Sequence, residues 1–143
     1  MDFGHLKKLE IKDRVIDYPI EDIQGEPVPT LKIKPATQSN KPYFNAILRK
    51  SKSKVGSIQS GNININMLDE NRTEDKKLFP KHVISGWNNV KDSSGESVLF
   101  TFDNCNDFIN ALPNWIFDKI RNFAATSENF VEEIINVEEK AKN

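Results

Sequence analysis

The chain has 143 residues, 37% of them apolar and 29% charged, with a net charge of −1. That length fits one domain with a modest core, and the near-neutral charge excludes a general electrostatic attraction to nucleic acid or membrane. One cysteine, Cys105, excludes an intrachain disulfide and fits a reducing compartment.

The first residues, MDFGHLKKLEIKDRV, contain no continuous apolar core, so no secretion signal is expected. No window approaches the roughly 18 apolar residues of a membrane span. Arg14–Tyr18 and Thr30–Lys34 are short and rich in β-formers. Pro19, Gly25, Pro27 and Pro29 separate them, which predicts two strands joined by a long loop. In the second strand Leu31 and Ile33 fall on one face and Lys32 and Lys34 on the other.

Asn40 is placed to cap a helix whose first turn takes Pro42, because the missing N–H has no helical partner there. Tyr43, Phe44, Ile47 and Leu48 then form a stripe, and Arg49, Lys50, Lys52 and Lys54 suit the negative end of the helix dipole. Val55 to Asn66 is rich in Gly, Ser and Asn and reads as a flexible linker. Leu68 to Phe79 reads as a short, solvent-facing polar helix ended by Pro80.

His82 to Val90 predicts a strand carrying Val83, Ile84 and Trp87. Asp92-Ser93-Ser94-Gly95 is a turn, and Val98 to Thr101 continues as a strand to complete a hairpin. Thr101 or Asp103 caps a helix with Cys105, Phe108, Ile109 and Leu112 along one side. Pro113 opens another with Ile116, Ile120, Phe123 and Ala124 in line. Thr126 or Ser127 caps a last helix, where Phe130, Val131, Ile134 and Ile135 form a stripe away from Glu132, Glu133, Glu138 and Glu139. The expected architecture is α+β. Residues 1–54 form a strand pair and helix, 55–66 a linker, and 67–143 a β-hairpin followed by three short helices. Each unit is small for independent stability, so the two are expected to pack together or the chain to oligomerise.

No residue set assembles catalysis. His5, His82 and Cys105 are too few for a structural zinc site, and no glycine-rich phosphate loop is present. Cys105 lies on an apolar stripe, as an inert buried thiol would. No enzyme activity and no cofactor are expected. The alternative to chemistry is binding through apolar surface. Trp115 lies off the stripe of its helix, and so does Phe117, about 200° away from it around the axis. One of the two should therefore face away from the local core, as a contact to a partner or to another copy. Trp115, Phe117 and Phe123 are the candidate partner contacts, with Trp87 and Phe100 holding the hairpin to the helices.

The order Gly86-Trp87, Val90, Gly95, Phe100-Thr101, Leu112-Pro113 and Asn129-Phe130 resembles the tail assembly chaperones of long-tailed bacteriophages and related prophages. The front half, with Asn40, Pro42, Tyr43, Phe44 and Asn45, is similar to some members, whereas Lys50 to Lys77 matches none of the pattern. The resemblance implies a chaperone that binds the tape-measure protein and tail-tube subunits in the bacterial cytoplasm and is absent from the finished virion. A structural tail-completion or connector protein is the alternative from a different class. A nucleic-acid-binding regulator acting through Arg49 to Lys54 comes third, since those cations have no interleaved aromatics, and an enzyme is the least expected.

Overall fold

The computed structural model describes residues 1–10, 14–51 and 65–131. Its strands are β1 (Ile16–Pro19), β2 (Thr30–Ile33) and β3 (Ile84–Asn88). Its α-helices are α1 (Lys41–Ser51), α2 (Ile65–His82), α3 (Phe102–Ala111) and α4 (Asn114–Ala125). Two 3₁₀ helices, Gly4–Leu9 and Ser127–Phe130, lie at either end. The mixed α+β class agrees with the sequence, while the strand arrangement differs from the expected one.

The strands form one antiparallel sheet in the order β1-β2-β3. Tyr18 pairs with Leu31 and Leu31 with Trp87, while Ile16, Ile33 and Ile84 make the neighbouring row. Because side chains alternate across a strand, these rows share the core face, and Leu31 and Ile33 are fully buried. On the other face the Lys32 amine reaches Asp17 at 3.2 Å. Gly86, paired with Lys32, leaves space for that side chain, since a Cβ there would meet Lys32 Cδ at 3.3 Å.

The expected hairpin between β3 and Val98–Thr101 is corrected: β3 pairs with β2 instead. Asn89, at φ 64°, turns the chain out of β3. The predicted turn does form. The Gly95 N–H donates to the Asp92 carbonyl at 3.0 Å with Gly95 at φ 83°, and the Asp92 carboxylate accepts the N–H groups of Ser94 and Glu96. Strand-like pairing around it is limited to the bridge between Lys91 and Ser97, flanked by the Asp92-to-Glu96 and Val98-to-Val90 hydrogen bonds of 2.9 and 2.8 Å. The Val98 carbonyl is then taken by the Trp87 indole N–H at 2.8 Å, which diverts it from any ladder.

The expected polar helix also needs correcting. α2 begins at Ile65, within the stretch read as linker, and passes through Pro80 to His82. Residues 55–64 of that linker lie outside the described residues. Pro80 sits in the last turn, where its missing N–H forfeits the one bond back to the Lys76 carbonyl. The helix is not a solvent-facing appendage: Phe79, Pro80 and Asp75 are buried. Phe79 packs edge-on against Tyr43 and Phe117, with ring centroids 5.9 and 5.4 Å apart.

Asn40 precedes α1 as expected, with Oδ1 accepting the Tyr43 N–H at a long 3.5 Å. Its amide does more, donating to the carbonyls of Pro35 at 3.0 Å and His82 at 2.7 Å, so that the exit of β2, the start of α1 and the end of α2 are tied together. Thr101 caps α3 through an Asn104 N–H bond of 3.0 Å. The predicted last helix is a 3₁₀ turn that ends at Phe130, with Val131 extended; Glu132 onward lies outside the described residues.

Candidate partner-binding surface

α4 is apolar on two sides. Ile116, Ile120 and Ala124 are buried as the stripe predicts, and so is Phe117, 0% exposed. The sequence reading set Phe117 apart because it assumed one packing partner for α4. Phe79 of α2 supplies a second, and Phe117 is therefore a core residue with no surface to offer. Phe123 is half-buried between Tyr18, at 4.9 Å, and Phe130, at 5.9 Å. Trp87 is 8% exposed, with Phe100 and Phe108 edge-on to it at 5.1 and 5.5 Å. Trp87 and Phe100 thus come together, the first buried and the second half-buried.

Of the five, Trp115 is the one that is largely exposed, at 57%. Lys119, one turn on, lies 5.2 Å from its ring centroid, and the Lys119 amine is held by Asp22 at 2.9 Å. That bond favours the charged amine and raises its pKa. The contact is a cation–π pair that steadies one side of an otherwise open indole.

The face of α4 that carries Trp115 continues through Asp118, Asn122 and Ala125, at i, i+3, i+7 and i+10. Asp118, Asn122 and Ala125 line a cleft of about 290 Å³ against Tyr43 of α1 and Asp75 and Phe79 of α2. Ala125, Ala36 and Tyr43 also line a neighbouring concavity of about 520 Å³, completed by Phe44, Ile47 and residues of the 37–39 turn. Phe44 and Ile47 belong to the predicted α1 stripe. They are half-buried, whereas Leu48 of the same stripe is exposed.

Three charged side chains, Asp75, Asp118 and Arg121, wall the cleft, and Arg72 joins them through Asp118. The Arg121 Nε donates to Asp75 Oδ2 at 2.8 Å and its Nη1 to Asp118 Oδ1 at 3.1 Å. Arg72 clamps Asp118 with both carboxylate oxygens engaged, at 2.9 and 2.8 Å. The Tyr43 hydroxyl donates to Asp75 Oδ1 at 2.8 Å. The Arg72 hydrogen bond is the largest influence on Asp118, whose pKa is lowered. Burial, then the charge of Asp75, drives the Tyr43 hydroxyl pKa upward, so the phenol stays protonated. Sequence reasoning missed this network. Its signal was present as Arg72-x-x-Asp75 in one helix and Asp118-x-x-Arg121 in another, the same pair at the same spacing in opposite order.

Cys105 and His82 stand outside this network. Burial pushes the Cys105 thiol up to about 12, and a protonated thiol is a poor nucleophile. Burial, with Lys81 and Arg49 nearby, lowers the His82 pKa. Among the described residues no group of three or more His, Cys, Asp or Glu is arranged to hold a metal ion, and no helix is long and apolar enough to cross a membrane.

No curated protein and no solved structure matches the chain. A family model described as YdaY prophage protein matches residues 38–143. That stretch holds Trp115, the four charged residues and most of both concavities, while β1 and β2 precede it. By that match the chain belongs to the YdaY prophage protein family.

Proposed function

We propose that the chain is a non-enzymatic chaperone of phage tail assembly, one that holds the tape-measure protein, and tail-tube subunits, before the tube polymerises. The observation that carries this reading is the half-exposed Trp115, set in line along α4 with an apolar concavity. A large aromatic beside a preformed hollow is typical of a site that captures another polypeptide. Covering the remaining ~100 Å² of the indole is worth about 2.5 kcal/mol at ~25 cal/mol per Å². That is too little for tight binding by one copy. A very long client that engages many copies gains the rest by avidity, and each copy is still displaced readily when tube subunits arrive. The chaperone would act in the host cytoplasm and leave before the particle is complete.

Co-expression with the tape-measure protein of the same prophage tests the proposal. The expected result is a soluble complex that purifies intact, together with absence of this chain from finished particles by mass spectrometry. Stoichiometric copies in the particle would instead make it a tail-completion or connector component.

A further inference from the structure

Resting on that polypeptide-binding reading, we propose that the partner segment is a single amphipathic helix with two apolar anchors about ten residues apart and uncharged polar side chains between them. The juxtaposition behind this is an exposed Trp115 and an apolar hollow at opposite ends of one α4 face, with a self-neutralised ion network between.

The spacing comes from the helix. From Trp115 to Ala125 is ten residues, about 15 Å at 1.5 Å per residue. One anchor meets the open indole, and the other enters the hollow beside Tyr43, Phe44 and Ile47. A helix laid along α4 reaches both with residues about ten apart.

The centre sets the polarity. Arg72, Arg121, Asp75 and Asp118 sum to zero charge, and each is bonded to another member. A charged partner residue placed against these four finds each already paired within the network and must break a pair or lose its own hydration. An apolar residue would strip water from carboxylate and guanidinium groups without replacing it. Gln, Asn or Ser can bond to Asn122 and to the spare hydrogen-bonding positions of the network at neither cost.

The walls argue for a helical partner over an extended one. The cleft is walled mainly by side chains of α1, α2 and α4, and the hollow adds residues 36–39 and Ser127, none of them in a strand. An added strand would find no ladder to join, whereas a helix arrives with its own backbone satisfied.

The test uses fluorescein-labelled helical peptides and the full chain, read by anisotropy. One peptide carries Leu anchors ten positions apart with Gln and Ser between. The others shorten the spacing to seven, or place Lys or Glu at the centre. The expected result is tightest binding by the first, weakened about tenfold or more in each other peptide, and likewise by Trp115→Ala and by Ala125→Arg in the protein. Both positions are exposed, and unchanged circular dichroism and melting temperature confirm that the variants fold. Equal binding of all peptides, preference for a charged centre, or indifference to both variants overturns the proposal. If the tape-measure protein is still held while the peptides show no preference, the two-anchor helix fails and the chaperone reading stands. If the tape-measure protein is not held but the first peptide is preferred, the client assignment fails and the helix-binding surface stands.

Discussion

The two tryptophans occupy opposite situations. Trp87 lies in β3 under Phe100 and Phe108, and its indole N–H is satisfied by the Val98 carbonyl. Trp115 opens α4 with its ring in solvent and one Lys across it. A buried Trp with its polar edge bonded is a packing element. A half-exposed one, supported but not covered, is surface available to something else. The contrast teaches that aromatic content alone did not locate the binding surface. What matters is whether a second layer of the fold reaches the ring, and α2 reaches Phe117 but leaves Trp115 open.

Substitutions on the two sides should separate accordingly. The largest effect is expected from Trp87→Ala, which removes a buried ring and the bond that pins residues 98–100. A loss of about 3–5 kcal/mol should appear in urea unfolding with little change in slope. Asp75→Ala comes next. It leaves the Tyr43 hydroxyl and the Arg121 guanidinium without their shared partner in a part-buried setting, which costs about 2–3 kcal/mol. A double-mutant cycle with Arg121 should recover part of it as coupling. Thr101→Ala loses one cap at the end of the loop that Trp87 pins, a cost of about 1 kcal/mol. Trp115→Ala should lie within about 0.5 kcal/mol of the parent, since it removes exposed surface and one solvent-screened cation–π contact. A reversal of the order, with Trp115→Ala more damaging than Thr101→Ala, would place Trp115 in the structural category.

Much of the fold was legible in the sequence. The alternation at Leu31 and Ile33, the Thr101 cap, the Asp92–Gly95 turn and the stripes of α3 and α4 all follow local rules of period and capping. What could not be read is non-local. Nothing in the local pattern says that β3 would choose β2 over the following segment, because any short apolar strand satisfies either partner. The misreading of α2 has one cause: Arg72 and Asp75 point across to α4 rather than to water, and an ion pair between helices looks in sequence like a solvated face. The same blindness hid the cleft, since Asp75 meets Arg121 across 46 positions of the chain.

The central claim is that the open face of α4, not the buried aromatics, engages another polypeptide. It is tested most directly by co-purifying the tape-measure protein with the parent chain and with Trp115→Ala, after confirming equal melting temperatures. The account predicts that the parent holds the client in solution and that the variant, equally folded, lets most of it precipitate. Equal retention by the two proteins would contradict it.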